Sequence, residues 1–104
     1  MKNNQFLDNI YNDVKALGLV KNQCDFSLLC GRTAMWFSAI KARGLHMTAD
    51  AALTLSHNIR TRAKDMVDAT VYVSALRLSE RLVEDAQAQI GLRLEQISVA
   101  RIIA

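Results

Sequence analysis

The stretch Gln23–Gly44, QCDFSLLCGRTAMWFSAIKARG, decides how the rest of the chain is read. Apolar residues stand at three- and four-residue spacing on both sides of Gly31, the pattern of two short helices meeting at a corner. A sharp corner requires the first helix to end in a residue that tolerates positive φ. With Gln23 counted as the first position, Phe26 falls fourth, Cys30 eighth and Gly31 ninth. Phe37 and Ile40 then fall fifteenth and eighteenth, both facing a shared core. Ser27, the fifth residue, is small where the second helix has to cross the first. Arg32 departs from the register, standing where a buried Val or Ile is usual.

Outward from this unit the punctuation is helical throughout. Phe6/Leu7, Ile10/Tyr11, Val14 and Leu17 predict an amphipathic helix over about Asn4–Leu17, capped by Asn3 or Asn4 and stopped by Gly18. A helix from Asn22 or Gln23 to Cys30 follows, then one capped by Thr33 and running to about Ala42. Thr48 caps a further helix through Ala52/Leu53, Leu55/Ser56 and Ile59. Beyond Arg60 neither glycine nor proline occurs until Gly91, and apolar positions recur close to every 3.5 residues. These are Tyr72, Leu76, Val83, Ala86, Ile90, Leu94 and Ile97, with Ser79 in one slot and Leu78 and Leu82 widening the stripe. They predict one long helix or two, with breaks expected near Asp65 and Gly91. The expected fold class is therefore all-α: a small helical bundle containing a helix-turn-helix at about residues 23–42, followed by a long C-terminal helix or helices. Residues 1–64 would form the helix-turn-helix domain. Residues 65–104 would form a C-terminal extension integral to the same compact unit, its stripe a candidate dimer interface.

Composition narrows the function classes. At 104 residues, 51% of them apolar, the chain suits a single domain with a real core. No apolar run approaches the ~20 residues of a membrane span, and the start lacks a signal peptide's apolar stretch. Cys24 and Cys30 fit no disulfide or metal-ligand spacing with each other or with His46 and His57. They predict free thiols and a cytoplasmic setting. No triad, phosphate-cradling glycine loop or metal quartet is present, so no catalytic residue, metal or cofactor is expected. The net charge of +3 is unevenly distributed. Residues 1–64 carry nine Lys/Arg against four Asp, while residues 65–104 carry four Arg against six acids. A basic half joined to an acidic one is what nucleic-acid binding coupled to partner binding would produce.

The residues Gln23, Gly31-Arg32-Thr33 and Lys41 to Gly44, with TADAALTLSHNIR after them, resemble the Cro/C1-type, phage-repressor-like helix-turn-helix domains. The resemblance covers about residues 5–60. The chain is also similar to small uncharacterised bacterial proteins with a GR…FSALKAR-like core. The repressor-like resemblance implies a small bacterial or phage transcription regulator that binds double-stranded DNA as a homodimer on a palindromic site. Thr33–Ala42 would be the reading helix, with Thr33, Ala34, Met35 and Ser38 towards the groove. Arg32 would reach a guanine or a phosphate, and Lys41 and Arg43 would contact phosphates.

A second function class fits the same residues. Ala34-Met35-Trp36-Phe37 is an apolar edge wider than one core face needs, and the helix lacks Asn, Gln or Arg for bidentate base reading. That pattern also suits a non-catalytic module binding a protein partner through this edge. Trp36 is expected to be half-buried in the core. Arg60, Arg62 and Lys64 read as a solvated cluster complementing a helix C-terminus.

Overall fold

The computed structural model describes the backbone of residues 5–103 and the side chains of residues 5–91. Five helices account for the fold: α1 (Gln5–Ala16), α2 (Gln23–Leu29), α3 (Trp36–Arg43), α4 (Ala49–Ala63) and α5 (Ala69–Ile103). No strand occurs among the described residues, so the chain is an all-α bundle as its periodicity predicts.

The local signals act largely where the sequence puts them. Asn22 caps α2, its side-chain oxygen accepting from the Asp25 N–H at 2.9 Å. Thr48 caps α4, accepting from the Ala51 N–H at 3.2 Å. Gly31 turns the corner after α2 with φ +74°, a conformation that costs any residue with a Cβ about 1–2 kcal/mol. The expected caps of α1, Asn3 and Asn4, lie outside the described residues.

The core runs unbroken from Leu7 to Ala86 and draws on every helix. At its N-terminal end Tyr11, Phe26 and Phe37 bring α1, α2 and α3 together. Their ring centroids lie 4.9–5.4 Å apart, with edge-to-face packing in the Tyr11–Phe26 and Phe26–Phe37 pairs. At the other end α4 and α5 form the most extensive helix pair. Small residues let them approach closely: the buried Ser56 hydroxyl donates to the Ser79 carbonyl oxygen at 3.0 Å. The Arg60 Nε donates to the Ser79 hydroxyl at 3.0 Å, so this residue is a strut rather than a merely solvated charge.

The C-terminal stripe divides between two faces. The face of α5 that meets the core is Ala75, Leu78, Ser79, Leu82 and Ala86, all buried. Ala86, expected at a dimer interface, is therefore enclosed within the protomer, because the close contact between α4 and α5 selects the small residues of the stripe. Tyr72, Leu76, Val83 and Ile90 lie along one flank and remain exposed or half-buried. The side chains of Leu94 and Ile97 lie outside the described residues. The break expected near Asp65 is a turn between α4 and α5, where Asp68 caps α5 by accepting from the Thr70 N–H at 2.8 Å. No break occurs at Gly91, and α5 is one helix of 35 residues. At about 1.5 Å per residue it runs about 52 Å, close to the molecule's longest dimension of 54 Å.

Candidate functional site

Two hydrogen bonds fix how α3 sits on α2. The buried Ser27 hydroxyl donates to the Gln23 carbonyl oxygen and accepts from the Phe37 N–H, both at 3.0 Å. An amide in the first turn of a helix has no partner within the helix, so Ser27 caps α3 from across the corner. This explains why Thr33 does not cap α3, as its sequence position suggested. Thr33–Met35 instead form a separate turn, closed by the Trp36 N–H donating to the Thr33 carbonyl oxygen at 3.0 Å, and α3 begins at Trp36. The small residue that the register required at the fifth position thus supplies a hydroxyl as well as space.

Phe37 is fully buried and Ile40 and Trp36 pack partly against the core. The opposite side of the turn and helix is open: Thr33, Ala34, Met35, Ser38, Ala39, Ala42 and Arg43 are exposed. Met35 is 66% exposed, an unusual setting for a large apolar side chain. The Ser38 hydroxyl donates to Gln23 Oε1 at 3.2 Å, which ties the face of α3 to the first residue of α2.

The cations of this face differ in their freedom. Arg32 turns away from it towards the start of α4, where its Nη2 meets Asp50 Oδ2 at 2.7 Å and Thr48 Oγ1 at 3.4 Å. Its Nε is buried without a hydrogen-bond partner. Lys41 pairs with Asp8 of α1 at 3.0 Å and lies 5.8 Å from the Phe37 ring centroid. Arg43 is exposed and makes no ion pair among the described residues. An exposed ion pair contributes only ~0–1 kcal/mol. Breaking the Lys41–Asp8 pair by itself therefore costs little, whereas releasing the partly buried Arg32 would dismantle the link between the corner and α4. Nothing in the sequence marked Asp50 or Asp8 as a counter-ion, because each pairing depends on how separate helices cross.

Elsewhere, His46 Nε2 lies 2.9 and 3.0 Å from the two oxygens of Asp85, joining the α3–α4 loop to α5. Gln89 braces the contact by donating to Asp85 Oδ2 and to the Met47 carbonyl oxygen. Arg62 donates to the Leu19 carbonyl oxygen at 2.9 Å, a second departure from the solvated role expected of the basic cluster. Cys24 is exposed and Cys30 buried, both as free thiols. Burial pushes the Cys30 thiol up to about 12, against a smaller lowering by Arg32. No helix among the described residues is long and apolar enough to cross a membrane.

A family of unknown function, DUF6626, matches residues 7–101. No curated protein and no solved structure matches the chain.

Proposed function

The chain belongs to the DUF6626 family of unknown function, and from that premise we propose that it is a DNA-binding regulator whose recognition surface is the outer side of the Thr33–Met35 turn and α3. One observation carries the reading. α3 is anchored by Phe37, Ile40 and the Ser27 cap along one edge, and its other side is left open to solvent. A helix held rigidly along one edge and bare along the other can enter the major groove without rearrangement.

In this reading Met35, Ala34 and Ala39 contact thymine methyl groups and Ser38 makes a base-edge hydrogen bond. Arg43 takes one phosphate and Lys41 a second after leaving Asp8. Arg32 holds the corner against α4 rather than touching DNA. With few hydrogen-bonding groups for bases, one copy reads little sequence. Pairing two copies on a palindromic site would double the contacts. Leu76, Val83 and Ile90, seven residues apart along the flank of α5, supply the ridge for that pairing. Val83→Glu should then convert a dimer to a monomer in sedimentation equilibrium, and a wild-type monomer at all concentrations would remove this part of the proposal.

The reading is tested by amide NMR of the labelled protein mixed with a short generic duplex at low salt. Shifts concentrated at Thr33–Arg43 support it; shifts confined to other helices, or none, would overturn it. A second reading is favoured by the exposure of Met35 and by the pairing of Arg32 and Lys41. In it the same face binds a protein partner through apolar contact. Met35→Asp would then abolish partner binding while Arg43→Gln left it unchanged.

A further inference from the structure

We propose a second site, distinct from the α3 face and independent of the DNA reading: the cleft between the α1–α2 link, α2 and the end of α4 binds a small organic carboxylate with an apolar body. The cleft has a volume of about 490 Å³, within the range typical of small-molecule sites. Its apolar side includes Val20 and Leu29, both buried, and Leu28, which is 59% exposed. Lys21 and Arg62 add two positive charges to the wall.

The feature that points to an anion is in the backbone. Val20 is only 5% exposed, yet its N–H donates to no acceptor among the described residues. A buried amide is normally satisfied by protein, water or ligand. The neighbouring polar groups are already engaged. The Leu19 carbonyl oxygen accepts from Arg62, the Leu29 carbonyl oxygen accepts from Asn58 at 2.6 Å, and Asp25 accepts from the Lys21 N–H at 3.1 Å. The wall therefore offers the Val20 N–H as a donor without a partner, beside two cations against the single carboxylate of Asp25 and an apolar surface. A carboxylate accepting from the Val20 N–H and paired with Lys21 satisfies both, with its hydrocarbon part laid on Leu28 and Leu29. Asp25 is the opposing charge in the wall, where Lys21 and Arg62 outnumber it.

The test is titration of the full chain with octanoate, followed by amide NMR, with octanamide as the neutral control. The expected result is a saturable shift of the Val20 and Lys21 amides with octanoate and much weaker binding of the amide. Lys21→Gln should weaken octanoate about tenfold, as expected for loss of one charge-assisted contact. Leu28→Glu should abolish binding by placing a like charge at the mouth. Both positions are exposed, and the amide spectrum itself reports that each variant is folded. Absence of saturable shifts, equal binding of octanamide, or octanoate binding unchanged in Leu28→Glu would overturn the proposal.

Discussion

Replacing Ser27 by alanine tests the joint between α2 and α3 with a single hydroxyl. The side chain is fully buried and its oxygen is the acceptor for the Phe37 N–H. Leaving a buried donor unsatisfied costs about 1–3 kcal/mol. Two effects oppose this. Alanine is the better helix former by up to about 0.5 kcal/mol, and the hydroxyl's bond back to the Gln23 carbonyl oxygen competes with the helix's own bonding. The net loss should be about 1–2 kcal/mol, which for a chain of this size lowers Tm by roughly 5–10 °C. Thermal unfolding followed by far-UV circular dichroism measures it, and hydrogen exchange at the Phe37 amide localises it. Ser38→Ala is the control: its exposed hydroxyl bonds Gln23 Oε1 at 3.2 Å, and its loss should cost under about 0.5 kcal/mol. If Ser27→Ala melts with the wild type and exchange at Phe37 is unchanged, the cross-corner cap does not hold α3.

Gly31→Ala should destabilise by at least about 2 kcal/mol, since the residue sits at φ +74° and a Cβ would meet Thr54 Cγ2 at 2.9 Å. Gly91→Ala, inside a helix with nothing within 4 Å of the added Cβ, should instead stabilise by about 0.5–1 kcal/mol in urea titrations. Native protein should titrate one thiol, Cys24, with a disulfide reagent near neutral pH, and two after denaturation. The Cys30 value near 12 in the folded chain lies above its ordinary 9.0. The unfolded thiol therefore loses its proton first, and stability should fall above about pH 9 by up to about 1.4 kcal/mol per pH unit; a flat profile across that window contradicts the assignment. Asp8→Asn removes the carboxylate that pairs with Lys41. It should raise affinity for a generic duplex and steepen the salt dependence by up to about one unit of logarithmic slope.

The register of Gln23–Gly44 was legible because it rests on geometry that few residues satisfy. Gly31 must take positive φ, and Phe26, Cys30 and Phe37 must all be buried, as they are. The Thr48 cap was legible because a cap acts on amides two or three residues away, whereas Asn22, read only as a possible first residue of the helix, turns out to cap α2. What the sequence concealed depends on contacts between distant segments. Thr33 has the chemistry of a cap, but Ser27 already binds the first-turn amide of Phe37, so α3 starts two residues later, with Met35 at the cap position. Arg32, which the repressor-like resemblance implies would contact DNA, pairs with Asp50 at 2.7 Å, a contact that only the packing of the corner on α4 reveals. The 3.5-residue stripe of α5 was real, yet periodicity cannot say which side of a broad stripe meets α4. Close approach at Ser56 and Ser79 decided it, turning Ala75, Leu78, Leu82 and Ala86 inward and leaving Leu76, Val83 and Ile90 beside the contact.

The proposed binding of DNA by the open face of α3 is tested most directly by fluorescence anisotropy of a labelled generic duplex at about 50 and 200 mM salt. Binding should be measurable at the lower salt and weaken steeply at the higher, with Arg43→Gln reducing both the affinity and the slope. A folded sample that does not bind at the lower salt, or whose binding ignores salt and Arg43, would contradict it.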